Sequence, residues 1–298
     1  MRKIILLLFL SIISHQKALA EKVAFDSPEG WGMSYMTAAS LNLSDKFPET
    51  LPLGQFNVSA EISTIPELNE EQQRIGFGGF KSEDLNIFVL TNFHKEYLRN
   101  LNIKTKSIYT QPNFMNFENN IQSLKPKNEF TYAGRISKEK GISELIKSFK
   151  DSNLKDYVLN IIGTGPMLKQ LSDENQIYPN IRFYGEIDNS KVIEIIKNSK
   201  AVVTSTKMYE GQPTVLCEAS VNKIPSIFPN FGGISEFFPV DYDLSFKQFD
   251  YQDLTQKFVY ASKNDLSEYG SKNYEFLKSK LNEDFLIKRF NLILDENE

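Results

Sequence analysis

The sequence predicts an α/β protein made of two Rossmann-type, doubly wound domains, the N-terminal one reduced. Three observations lead there. A chain of 298 residues has room for two domains at roughly 150 residues each. From Phe130 onward, short apolar runs alternate with amphipathic segments, which is the pattern of a parallel sheet covered by helices. The glycine-rich and charged segments of this half fall at the C-terminal ends of the apolar runs, where such sheets bind ligands. The boundaries read as a leader over 1–20, a first domain over 21–113, a linker over 114–129 and a second domain over 130–298.

The start is basic at Arg2 and Lys3, apolar from Ile4 to Ile13, and carries Ala18-Leu19-Ala20 before Glu21. That is the layout of a secretory leader, and the apolar run is shorter than the roughly 17–25 residues of a spanning helix. A first buried strand over Lys3 to Leu10 is the other reading, and the sequence leaves both open. Lys22 to Phe25 reads as a strand, followed by a turn-rich loop with Gly30 and Gly32, then a helix from about Tyr35 capped by Ser34. A strand, a glycine-containing loop and a helix let backbone approach a phosphate; an ordinary surface turn is the alternative. Phe56 to Ile62 alternates as a strand, and Pro66 to Ile75 suits a short helix. Asn86 to Leu90 is a buried-type strand, Phe93 to Leu101 an amphipathic helix with Tyr97, Leu98 and Leu101 inward, and Lys106 to Tyr109 a further strand. Phe114 to Glu129 is polar, rich in asparagine and without period, hence a linker.

The second domain alternates more cleanly. Strands are expected at Phe130–Ala133, Tyr157–Ile162, Ile181–Tyr184, Ala201–Thr204 and Ser226–Phe228. Helices are expected at Gly141–Phe149, from Pro166 to Leu171, at Lys191–Asn198 and at Pro213–Val221. After Asp250 the chain reads as two or three amphipathic helices. Asp241-Tyr242-Asp243 looks like a metal-binding Asp-x-Asp, but beside Pro239 and past the last strand it is a turn.

Chemistry concentrates in Tyr209 to Ser220. Pro213 suits the first helical position, where its missing N–H is not needed. The amides near Thr214 and Val215 then lack intrahelical partners, and a helix start of this kind attracts phosphate. Glu210 precedes the helix and Glu218 lies within it, so an anion site is flanked by two carboxylates that accept bonds from sugar hydroxyls. A nucleotide sugar has that composition. A capped helix with two solvated glutamates is the plainer reading. Arg135 and Lys140 follow the first strand of this domain and can share one diphosphate, Arg as a planar bidentate donor and Lys as a movable point charge. A glycosidase pair of glutamates would leave these two cations without a task.

These residues form a set of motifs. Glu210 and Glu218 stand with seven residues between them, Gly211 and Pro213 following the first. Gly134-Arg135 precedes Lys140-Gly141 by four residues. Gly163-Thr164-Gly165-Pro166 lies between, and Gly232-Gly233 stands before Glu236. In this order the motifs resemble the retaining glycosyltransferases of family 4, which have the GT-B fold of two Rossmann-type domains facing a cleft. The resemblance is clear from about Phe130 to the C-terminus and weak before Asn86. It implies a catalytic set of Arg135, Lys140 and Glu210. It implies a donor-binding set of Gly30, Gly32, Gly134, Gly163, Gly165, Pro166, Gly211, Gln212, Pro213, Thr214, Val215, Glu218, Gly232 and Gly233. Glu210 would meet the donor sugar, Glu218 the ribose, and Gly163 to Pro166 the base, while Gly232-Gly233 would approach the sugar or phosphate where a side chain would collide. Gly30 and Gly32 would face the diphosphate. The resemblance further implies a final helix that crosses back to the first domain, and transfer without cofactor or metal.

Two departures stand out. The first domain is shorter than usual in the family. His94, the only histidine outside the leader, falls in a helix and not where many relatives place an active-site histidine, so it reads as structural. The net charge of −4 supplies no basic footprint for nucleic acid. One cysteine, Cys217, excludes an intrachain disulfide. The expected partners are a nucleotide-sugar donor and a glycan or lipid-linked acceptor, in the cytoplasm or peripherally at a membrane, with export left open by the leader. A non-catalytic nucleotide-sugar binder is the alternative.

Overall fold

The computed structural model describes residues 5–7, 86–100, 106–117 and 126–295. The elements read between Glu21 and Ile75, with Gly30 and Gly32, lie outside the described residues, as do Leu101 and positions 118–125. The chain divides into two compact units, Met1–Pro112 with Lys288–Glu298, and Asn113–Ile287.

In the first unit, β1 (Ile5–Leu7), β2 (Asn86–Val89) and β3 (Ser107–Thr110) form a parallel sheet in the order β1-β2-β3. Ile5 to Leu7 pair with Asn86 to Phe88, so the apolar start contributes a strand here. The strand β2 is buried throughout, as expected where helices cover both faces. The helix α1 (Asn92–Asn100) follows at once, and the Thr91 hydroxyl accepts from the His94 amide at 3.1 Å, satisfying one of the free donors of the helix start. The same hydroxyl meets His94 Nδ1 at 2.9 Å. Phe88 packs against Tyr109, Phe290 and Ile293. The last two come from the C-terminal helix, whose end from Lys288 belongs to this unit, as the resemblance implied.

The second unit holds six parallel strands: β4 (Glu129–Ala133), β5 (Val158–Ile162), β6 (Ile181–Gly185), β7 (Ala201–Val203), β8 (Ser226–Asn230) and β9 (Ser245–Lys247). Their order is β6-β5-β4-β7-β8-β9, so the chain runs outward from β4 in one direction, returns, and continues outward from β7 in the other. Between the strands lie α2 (Ile142–Asp151), α3 (Leu168–Glu174), α4 (Asn189–Asn198) and α5 (Thr214–Val221). After β9 come α6 (Tyr251–Lys263), α7 (Ser267–Lys280) and α8 (Glu283–Asp295). In α2 the residues Ile142, Leu145, Ile146 and Phe149 are buried, the i, i+3, i+4, i+7 stripe of a helix with one face on a core. Phe130 of β4, Phe149 of α2 and Phe258 of α6 meet edge to face, at 4.8 Å between the rings of Phe130 and Phe258. This arrangement suits the ring quadrupoles. Asp250 caps α6, its carboxylate accepting from the Asp253 amide at 3.0 Å.

Three features differ from the sequence reading. The strand β9 was not foreseen, being three residues long with only Phe246 inward. Pro166 precedes α3 and lies in a turn, the helix beginning at Leu168. The compact units divide at Pro112/Asn113, because Phe114, Met115 and Phe117 pack on the core of the second unit and the Met115 amide donates to the Leu281 carbonyl at 3.0 Å. Asp241 to Asp243 lie in the turn-rich segment before β9, with Tyr242 buried and its hydroxyl bonded to the Ser226 backbone.

Burial lowers the pKa of His94 from 6.5 to about 4, so the folded protein keeps the ring neutral where the unfolded chain would protonate it. Stability is therefore expected to fall as pH drops from 6.5 toward 4, with this residue contributing up to about 3 kcal/mol of that loss. Urea titrations at several pH values check it: His94→Gln should flatten the slope in this window.

Candidate functional site

The order of strands reverses between β4 and β7, which pair directly through Phe130 with Ala201 and Thr131 with Val202. At such a reversal the loops leaving the two strands diverge and open a crevice at the carboxyl end of the sheet. The loop after β4 carries Gly134, Arg135 and Lys140, and the loop after β7 carries Glu210. The cations and the carboxylate chosen from sequence thus sit on the two loops that leave this reversal.

The two loops are joined at several points. The Ser205 hydroxyl donates to the Lys140 carbonyl at 3.1 Å and the Gly141 carbonyl at 2.8 Å. The Lys207 amide donates to the Glu139 carbonyl at 2.9 Å, and its ammonium reaches Glu144 of α2 at 2.6 Å. Gly141 has φ 69°, and a Cβ there would lie 2.2 Å from the Ser205 carbonyl oxygen, so no other residue fits this crossing. Lys140 then donates to Glu210 Oε1 at 2.5 Å, and the Thr206 hydroxyl donates to the same oxygen at 2.9 Å. Their side chains are 16% and 21% exposed, so the pair is half-withdrawn from water, where the attraction is stronger than at an open surface. The Tyr132 hydroxyl lies buried beneath, donating to the Arg135 carbonyl at 2.8 Å. Burial, then the charges of Glu210 and Glu139, push its pKa up and keep it neutral. Burial opposes ionisation of Glu139, yet its bond from Ser137 and the charges of Arg135 and Lys140 hold its carboxyl below the usual range. Arg135 is exposed, and its guanidinium makes no hydrogen bond or ion pair with another described residue.

Directly after the loop of Glu210, α5 begins at Thr214. Pro213 is its N-cap, with φ −80° and ψ 85°, and not the first helical residue expected. Its carbonyl accepts from the amides of Leu216 and Cys217 at 3.0 and 2.9 Å. The amides of Thr214 and Val215 have no acceptor among the described residues, as the anion reading requires. Glu218 is half-buried on α5 without a side-chain hydrogen bond among the described residues. Burial raises its pKa, which makes it a carboxylate that gains from hydroxyl donors.

Several residues of the expected donor-binding set also hold the protein together. Gln212 is buried, its Oε1 accepting from the Asn113 amide at 2.7 Å and its Nε2 donating to the Asn113 carbonyl at 3.0 Å. Its side-chain amide thereby helps to fix the chain at Asn113. A Cβ on Gly163 would stand 2.0 Å from the Gly134 carbonyl oxygen, and one on Gly165 2.3 Å from that of Ile136. These glycines let the loops after β5 and β4 lie on each other, with the Ile136 amide donating to the Thr164 carbonyl at 2.8 Å. The Gly233 amide donates to the Glu210 carbonyl at 3.2 Å, and Gly232 packs on the backbone of Tyr209 and Glu210. The pair Gly232-Gly233 thus seats the loop of Glu210. Gly211 lies in the bend between Glu210 and Pro213. Sequence reasoning missed Ser205, Thr206 and Lys207. Three polar residues directly after a buried strand at a ligand-binding edge are the signal that could have found them.

A parallel α/β unit with a basic loop, a carboxylate and a free helix start at its strand reversal defines a nucleotide-binding type of domain. Residues 115–275 match the family described as Glycosyl transferases group 1. That is more than half of the chain, and the protein belongs to this family. Among curated relatives it is similar to the amylovoran biosynthesis glycosyltransferase AmsD of Erwinia amylovora, 27% identical over 47% of this chain and 42% of that protein. It is also similar to the putative teichuronic acid biosynthesis glycosyltransferase TuaC of Bacillus subtilis, 33% identical over 36% of this chain and 26% of that one. The chain thus matches less than half the length of these relatives. Among solved structures it resembles a variant of S. aureus TarM in complex with fondaparinux, a GlcNAc-glycerol and UDP, with TM-score 0.63 and 20% identity over 70% of this chain and 43% of that one. The pneumococcal O-GlcNAc transferase GtfA with UDP and GlcNAc follows, with TM-score 0.60 and 17% identity over 72% and 46%. The fold is of the GT-B type, as expected.

Two outcomes test this geometry. Glu210→Gln frees Lys140, so affinity for a nucleoside diphosphate should hold or rise, whereas Lys140→Met should lower it about 10-fold or more; calorimetry on both variants decides it. Gly163→Ala forces a side chain onto the Gly134 carbonyl and should lower stability by at least about 2 kcal/mol, read as a shift of the denaturation midpoint.

Proposed function

We propose that the protein transfers a hexosyl group from a nucleotide-sugar donor to a glycan or lipid-linked acceptor, with retention of anomeric configuration and without a metal. One observation carries this reading: Lys140 and Glu210 converge from adjacent strands at the reversal of the sheet, beside the free amides of Thr214 and Val215. The diphosphate of the donor fits the cations and the helix start. As the bond from the sugar carbon to the diphosphate oxygen breaks, negative charge grows on the leaving group. Lys140, Arg135 and the amides would meet it with positive charge, which is often the largest catalytic contribution. Because they supply positive charge themselves, this arrangement does not call for a bound cation.

Entry of a diphosphate gives Lys140 a second anionic partner and releases Glu210 toward sugar hydroxyls. Glu218, desolvated and without a donor among the described residues, suits the ribose hydroxyls. The acceptor hydroxyl forms the new bond to the sugar carbon, and its proton leaves with the diphosphate product. The neighbouring TarM and GtfA structures hold UDP, and the curated relatives are named for polysaccharide biosynthesis; both support a nucleotide sugar as donor and a glycan as acceptor. No helix of the described residues is long and apolar enough to cross a membrane, and a cytoplasmic or peripheral membrane location suits a nucleotide-sugar donor.

The test is a panel of nucleotide sugars scored by thermal shift and by release of nucleoside diphosphate. The donor at about one hundred times its Kd should add about 2.7 kcal/mol. Glu218→Ala should weaken donor and free diphosphate alike, by about 10–150-fold. Arg135→Ala should also lower kcat, and turnover should survive a chelator. Binding without turnover of any donor would favour the non-catalytic binder instead.

A further inference from the structure

Beside the Lys140–Glu210 pair lies an aromatic row that donor binding leaves unused. Tyr209 stacks on Phe231 with ring centroids 4.5 Å apart and an interplanar angle of 21°. Phe231 in turn meets Phe249 at 6.3 Å and 53°. Phe249 is 59% exposed. It also has φ 65°, a left-handed conformation that is uncommon for a bulky side chain and costs free energy. The surroundings hold it there. The Asp250 amide donates to the Lys247 carbonyl at 2.9 Å, closing the turn around it, and Gln248 Nε2 donates to the Thr206 carbonyl at 3.1 Å. Glycine or asparagine would adopt this backbone at less cost. The phenylalanine gains little burial in return, so folding does not account for it.

Position suggests what does. Tyr209 immediately precedes Glu210, Phe231 immediately precedes the Gly232-Gly233 pair that seats Glu210, and Gln248 is tied to Thr206, whose hydroxyl bonds Glu210. The row is therefore fixed to the same backbone as the carboxylate that would hold the donor sugar, and its exposed end is Phe249. We infer that the exposed ring of Phe249, backed by the stacked pair Phe231 and Tyr209, is a platform for a sugar ring of the acceptor glycan. The ring would lay its apolar C–H face on the aromatics, with its hydroxyls toward water and the Glu210 loop. A flat aromatic face offers broad contact at little conformational cost, which suits an acceptor that must advance by one unit. This rests on the glycosyl-transfer reading for the identity of the ligand as acceptor.

The experiment is saturation-transfer NMR on the full chain. The probes are methyl α-glucoside, methyl α-galactoside and methyl β-N-acetylglucosaminide as sugars, and dodecyl maltoside as a probe carrying an alkyl chain. Phe249→Gly removes the ring and relaxes the backbone, so its melting temperature should equal or exceed that of the native protein. Sugar binding should weaken about three- to ten-fold, Phe249→Trp should restore it, and calorimetry should show unchanged affinity for nucleoside diphosphate. Equal sugar signals in the native protein and Phe249→Gly, with nucleotide binding intact, would overturn the platform. Saturation confined to the alkyl chain of dodecyl maltoside would overturn it in favour of a lipid contact. Loss of nucleotide binding by the native protein itself would instead sink the transferase reading, and is read separately.

Discussion

The pairing of β4 with β7 is the constraint on which the rest depends. Two strands separated by some seventy positions in the sequence lie side by side, Phe130 against Ala201 and Thr131 against Val202, and from there the sheet grows in both directions. Their loops must then leave the sheet edge together. Each loop brings charge, and the short bonds from Ser205 and Lys207 keep that charge in register. A one-residue slip would exchange the side chains on the two buried faces of β4 and separate Lys140 from Glu210 at the same time. The folding core and the site therefore share one determinant.

Glycine also lets the loops of the site pack on one another. Gly-x-Gly at Gly163 and Gly165 reads as a place where backbone approaches a ligand. In the structure the approaching backbone is the protein's own, at Gly134 and Ile136. The same holds for Gly232-Gly233, which lie against Tyr209 and Glu210. Loops this close set each other's position, and so prepare the polar groups before a ligand arrives. Such preorganisation is what makes fixed dipoles and charges effective in a transition state. Gln212 belongs to the same class: a polar side chain in a ligand motif that spends its hydrogen bonds on the Asn113 backbone.

The site also shows a controlled conflict of charges. Lys140 and Glu210 neutralise each other, while Arg135 stands exposed and the helix start of α5 keeps its amides free among the described residues. Glu218 is held above the usual carboxylate range by burial. Groups whose needs are met by ligand and not by protein are the ones that give binding its free energy. Around them the aromatic cluster of Phe130, Phe149 and Phe258 and the cap of Asp250 supply a rigid base.

By itself the sequence determined the α/β class, the alternation of strands and helices after Phe130, and the four motifs that carry the family. The reason is that hydrophobic period and loop chemistry are local, so each strand and each charged loop announces itself. His94 reads as structural from the sequence because it falls in a helix, away from where many relatives place an active-site histidine; its bonds with Thr91 appear only in the structure. Tertiary structure alone decided which loops meet. That Lys140 pairs with Glu210, that Ser205 and Lys207 fasten the two loops, that Gln212 holds Asn113, and that Tyr209, Phe231 and Phe249 line up all depend on strand order. Strand order is set by long-range packing of the whole sheet, and no window of neighbouring residues contains it.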